Sequence, residues 1–140
     1  MMNRVAGFTH SLLRIVAGLL FIHPGGMKLF GWFGGMPAGV PMTPLLYVAG
    51  AIEVVGGTLI LLGLFTRPAA FLCSGEMAFA YFIGHFPSGF WPIQNHGEPA
   101  VLFCFIFLFL WGNGAGPISL DHWIASRRAA ARTYPAPSPA

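Results

Sequence analysis

Four long apolar stretches, broken by clusters of glycine and proline, organise the chain. The first runs from about residue 8 to 30, with Ile15–Ile22 as its apolar heart. The second spans about 45–65, the third about 68–86 and the fourth about 98–117. Each lacks the period-two alternation of a half-buried strand and is long for a buried one, so each predicts a helix. Their lengths approach the roughly 20 residues that cross a bilayer. The pure apolar part of the fourth, Pro99–Trp111, covers only about 20 Å at 1.5 Å per residue. That helix is therefore expected to continue past Gly112 or to be shielded by its neighbours.

Turn chemistry separates the stretches. His23-Pro24-Gly25-Gly26 predicts a kink or early unwinding near the end of the first span. Gly31–Pro41 reads as a loop carrying interfacial Trp32 and Phe33. Thr66-Arg67-Pro68 is a tight turn into the third span, with proline suited to a first helical turn. Pro87–Gly97 is a second long loop. Asp121–Arg132 predicts a short interfacial helix, and the Pro/Ala-rich tail to residue 140 is compositionally disordered. The domain reading is one transmembrane unit over residues 1–120 and a basic juxtamembrane segment with its tail over 121–140.

Composition agrees. Of 140 residues, 56% are hydrophobic and 8% charged, against about 25% charged in soluble domains. The fold class expected is all-α, a polytopic membrane four-helix bundle. A signal-peptide reading of the first stretch is disfavoured, because no small-x-small cleavage site follows and three further spans come after it. Arg4, Arg67, Arg127, Arg128 and Arg132 fall on one side of this topology and only Lys28 on the other, so both termini are expected in the cytoplasm. The C-terminal arginines are too few for a nucleic-acid footprint and read as an anchor on anionic lipid. No nucleotide-binding glycine motif and no Cys-x-x-Cys is present, and no metal ligand set is visible. Cys73 and Cys104 lie about 12 Å apart in depth at 1.5 Å per residue, too far for a disulfide.

The candidate chemistry lies in ionisable residues inside the spans, where a charge is costly and marks function or a specific pairing. Arg14, Glu53 and Glu76 each sit on a stripe of small residues that should face neighbouring helices. Arg14 and Glu76 share a depth roughly 10–14 Å from the cytoplasmic end and are expected to pair. Glu53 lies nearer the outer side, with Lys28, His23, His85, Asn95, His96 and Glu98. A pocket lined by Lys28, Glu53, His85, Asn95 and Glu98 is expected there. Both ion-pair sets also have a purely structural reading, as pairs that fix helix register. His10 and His122 read as interfacial. A haem between His23 and His85 is disfavoured, because Pro24 disturbs the geometry.

The chain resembles the DoxX family of small four-span membrane proteins. The resemblance rests on Met27–Gly35, Ile52–Gly57, Gly63–Ala70, Met77–Phe82, His85-Phe86-Pro87, Gly89–Pro92, Asn95–Glu98 and Gly116–Asp121, in order over roughly Leu12–Asp121. Two places depart from it. The family's His-Gly in the first span is Pro24-Gly25 here, with His23 one position earlier, and its Asn-Gly-Gly-Glu reads Asn95-His96-Gly97-Glu98. The resemblance implies a membrane part of a redox system. One branch is similar to the membrane subunit of thiosulfate:quinone oxidoreductase, others are linked to quinone or thiol stress beside soluble oxidoreductases, and distant relatives are membrane assembly factors. On the redox reading, Glu53, His85 and Glu98 are catalytic candidates that relay protons. Lys28, Arg14, Glu76, Asn95 and His96 bind the ligand, a quinone by preference. The partners expected are the lipid bilayer of the inner (cytoplasmic) membrane, a soluble oxidoreductase and further copies of the chain. The alternative is a non-enzymatic binding, transport or assembly protein.

Overall fold

The computed structural model describes residues 3–133, and all regular structure among them is helical. Helix α1 spans Arg4–Phe30, α2 Pro44–Leu62, α3 Thr66–Ala80, α4 Pro92–Asn95, α5 Glu98–Asn113 and α6 Leu120–Thr133. Only α1 and α2 are long and apolar enough to cross a membrane by length and composition alone. Helix α1 runs unbroken through Pro24, so the expected unwinding does not occur. Its backbone is pinned there: a Cβ on Gly25 would come within 2.8 Å of the Gly50 carbonyl of α2. Helix α5 stops at Asn113, earlier than expected, where Gly114 takes up a positive φ.

Helix α1 packs along α2 and α3 along α5, and α2 against α3 joins the two pairs. Small residues let α1 and α2 approach closely. A Cβ on Gly18 would lie 2.5 Å from the Leu61 amide nitrogen, and one on Gly57 would lie 2.8 Å from Ile22. Phe21 and Phe107 meet edge-on at 4.7 Å between ring centroids. With Ile60, Ala70 and Cys73 they form the core where the pairs join.

The outward faces are apolar too. Leu12, Leu13, Val16, Leu19 and Leu20 on α1 are 41–47% exposed. Only 39% of the apolar stretch of α1 and 28% of that of α2 is buried. A core helix of a water-soluble domain would bury most of such a surface.

One end of the molecule gathers the start of α1, the end of α2, the start of α3 and the segment after α5. Arg14 organises it. The side chain is 1% exposed, and its donors reach four backbone carbonyls: Ala115 at 2.8 Å and Ile60, Leu61 and Ile118 at 2.5 Å. Ile60 and Leu61 lie in the last turn of α2, where carbonyls lack intrahelical partners. Arginine's fork of five donors suits such a cluster. The expected Arg14–Glu76 pair is absent, because the guanidinium is consumed by these carbonyls and the salt bridge among the described residues is elsewhere. Asp121 completes the arrangement. Its carboxylate accepts from the Phe65 and Thr66 amides, both at 2.9 Å, capping α3 from a distant part of the chain. His10, expected at the interface, is 6% exposed and contacts the Gly114 carbonyl at 2.9 Å. His122 is exposed.

Candidate functional site

The other end of α1 carries Lys28 in its last turn. Glu53 lies mid-way along α2, beside the glycine contact: a Cβ on Gly25 would come within 2.9 Å of Glu53 Cβ. That close approach lets Lys28 Nζ reach both carboxylate oxygens, at 2.7 and 2.6 Å. The two side chains are 13% and 3% exposed.

Glu76 comes from α3, one turn beyond Cys73, and Cys73 faces Gly56 of α2. Glu53, Lys28 and Glu76 lie within electrostatic range of one another. Among the described residues Glu76 has no cation of its own, and its Oε2 is buried with no hydrogen-bond partner. Beyond α3 the chain widens into a π-turn over Tyr81–His85, a distortion that recurs at functional sites. His85 closes this turn half-buried, with Nδ1 3.0 Å from the Asn95 carbonyl.

A cavity of about 580 Å³ opens between α2 and α3. Lys28, Glu76 and His85 are its charged or titratable lining residues, and apolar side chains such as Ile52, Phe79 and Ile83 form the rest. Glu53 is not on the wall and stands behind Lys28.

The structure thus brings together Lys28, Glu53, Glu76 and His85, and leaves out several residues expected with them. Asn95 is 5% exposed but turned into its own loop. Its Nδ2 donates to the Gly89 carbonyl at 2.7 Å and to the Tyr81 hydroxyl at 3.3 Å, while its Oδ1 accepts from the Gly97 amide at 2.8 Å. The Tyr81 hydroxyl in turn donates to the Phe90 carbonyl. Glu98 is exposed in the first turn of α5, where a negative charge complements the helix dipole. His96 is exposed in the left-handed conformation that ends α4. Neither lines the cavity. Arg14 belongs to the opposite end, and His23 packs on Phe33, with centroids 5.5 Å apart. Glu76 joins this group in place of its expected partner Arg14. Its place could have been read from its spacing to Cys73 and from the glycines of α2, but depth counting favoured Arg14.

A second cavity, of about 690 Å³, lies at the Arg14 end, lined by Arg4, Gly7, Phe8, Gly116, Asp121 and His122 among others. The Asp121 carboxylate in its wall is committed to capping α3. The α2–α3 cavity is the better candidate, because Lys28, Glu76 and His85 stand together in an otherwise apolar wall.

An all-helical chain with apolar outer faces and charges drawn inward defines a small membrane protein. The comparisons agree: the DoxX family model matches residues 10–86, and the chain belongs to the DoxX family. An uncharacterised protein of Haemophilus influenzae is 44% identical over 117 residues, 80% of this chain and 87% of that protein. No solved structure matches.

Proposed function

We propose that this chain is a multi-pass protein of the inner membrane that binds a lipophilic quinone between α2 and α3 and serves as the membrane subunit of a redox system. A soluble oxidoreductase partner supplies the electrons. The observation that carries this reading is the apolar cavity with Lys28, Glu76 and His85 in its wall. Ligand sites are mostly apolar with a few placed polar groups, and quinone chemistry needs protons delivered with electrons.

In this reading α1, α2, α3 with its π-turn, and α5 cross the bilayer, and residues 1–120 form the transmembrane unit. Helix α5, with 16 residues, spans about 24 Å at 1.5 Å per residue, so its neighbours and local thinning accommodate it. Both termini lie in the cytoplasm, by the arginine asymmetry. Helix α6 lies along the surface, with Arg127 stacked 4.9 Å from the centroid of Trp123.

A second reading is a non-enzymatic binding or assembly protein. It draws support from the Lys28–Glu53 pair, in which both carboxylate oxygens are already taken up by Lys28 Nζ. Purification in mild detergent, followed by mass spectrometry and absorbance of what co-purifies, separates the two. Stoichiometric quinone is expected. A chain that carries only phospholipid and does not bind added quinone contradicts the proposal.

A further inference from the structure

Four titratable groups meet at the outer end, and the geometry divides them into two kinds. Glu53 is spent: both its oxygens accept from Lys28 Nζ, and the residue is 2% exposed. The pair is neutral as a unit. Glu76 is left with no cation within salt-bridge distance and with Oε2 buried and unpartnered. A lone carboxylate in apolar surroundings is costly, and a carboxyl group placed so lowers the cost by holding a proton. A protonated carboxyl is a hydrogen-bond donor.

His85 is also constrained. Its Nδ1 lies 3.0 Å from the Asn95 carbonyl, which can only accept. Nδ1 therefore carries the hydrogen, and Nε2 is the nitrogen left to gain and lose a proton. Asn95 is held by three side-chain hydrogen bonds, two within its loop and one to the Tyr81 hydroxyl, so its carbonyl is a fixed reference for the ring.

We infer that Glu76 and His85, and not Glu53, exchange protons with the ligand, and that the ligand is an uncharged ring bearing carbonyl or hydroxyl oxygens. This inference rests on the quinone reading. Lys28 and Glu53 cancel, and a Glu76 carboxyl that holds its proton adds no charge, so the acid groups of the cavity offer an ionic ligand nothing to match. The reaction balances as follows. The quinone takes two electrons from a reduced two-electron carrier on the soluble partner. One proton comes from the Glu76 carboxyl, whose O–H bond breaks. The other comes from the aqueous phase through His85 Nε2. Quinol leaves, and Glu76 regains its proton from water.

Infrared difference spectroscopy of the purified full chain, with decylubiquinone as the probe, tests this. The wild type should show the C=O stretch of a buried carboxylic acid, shifted by decylubiquinone. Glu76→Gln should lose that band, Glu76→Asp should restore one, and Glu53→Gln should keep it. If Glu53→Gln does not fold, the double variant Lys28→Met/Glu53→Gln removes the pair together and should also keep the band. Decylubiquinone affinity should fall by no more than about threefold in Glu76→Gln, whose amide still donates, and by about tenfold in Glu76→Leu, which loses one hydrogen bond. A band that survives Glu76→Gln, or vanishes when Glu53 is replaced, overturns the assignment. A band that behaves as expected in a wild type that does not bind decylubiquinone leaves the proton on Glu76 and overturns the quinone reading and the ligand class with it.

Discussion

The two ends of the molecule each bury charge, and they treat it differently. At the Arg14 end the charged groups are matched to backbone, although His10 Nδ1 and the Thr66 hydroxyl are buried there without partners. The guanidinium meets four backbone carbonyls and Asp121 meets two backbone amides. These contacts join α2, α3 and the segment after α5 to α1. At the Lys28 end only one ion pair is closed, and Glu76 keeps a buried oxygen without a partner beside a cavity. A charge matched by backbone groups from several elements fixes a fold, because each element is held by the others. An unsaturated group in apolar surroundings costs stability and has no structural return. The contrast assigns architecture to Arg14 and chemistry to the Lys28 end.

The contrast breaks if Arg14 is dispensable. Arg14→Met removes the partner of the Leu61 carbonyl of α2 and of the Ala115 and Ile118 carbonyls after α5, and should destabilise by about 3–5 kcal/mol. Unfolding of the purified variant in detergent should show it, and a near-wild-type midpoint would remove Arg14 from the architecture. Next in size is the Lys28–Glu53 pair. Either single alanine variant should cost about 2–3 kcal/mol, less than for a fully buried pair because Lys28 is partly exposed. The double variant Lys28→Ala/Glu53→Ala should cost less than the sum of the two, measured as a thermodynamic cycle. Asp121→Ala removes a helix cap and should cost about 1–2 kcal/mol, with faster amide exchange at the start of α3 as its local signature. The smallest stability effect belongs to Glu76→Leu. It should lie within about 0.5 kcal/mol of wild type or be stabilising, since an unpartnered polar group is replaced by an apolar one. A loss of several kcal/mol there would show that Glu76 serves the fold.

How far the sequence foretells this varies with the kind of interaction. Apolar runs bounded by glycine and proline mark α1, α2, α3 and α5 to within a few residues. The small-residue stripes name the right inward positions: Gly7, Arg14, Gly18 and Gly25 are all buried on α1. The Lys28–Glu53 pair is legible because both lie towards one end and one bears the opposite charge. The partner of Arg14 is not. Depth counting matches charges to charges, whereas the end of α2 offers carbonyls, which appear nowhere in a list of side chains. The Asp121 cap joins residues 55 and 56 positions apart, and no local pattern signals it. Depth at the ends of the spans predicts Asn95 and Glu98 in the pocket. Asn95 instead satisfies its own loop, and Glu98 stays at the solvent-exposed start of α5. The π-turn that delivers His85 follows from a helix period that sequence spacing assumes to be constant.

The most direct test of the central claim is where a quinone lands. Photo-crosslinking the full chain with an azido-benzoquinone, with excess decylubiquinone as competitor and adducts mapped by mass spectrometry, distinguishes the two cavities. The account predicts competed adducts between α2 and α3, on residues such as Ile52, Phe79 and His85. Competed adducts on Arg4, Phe8 or His122 at the Arg14 end would contradict it.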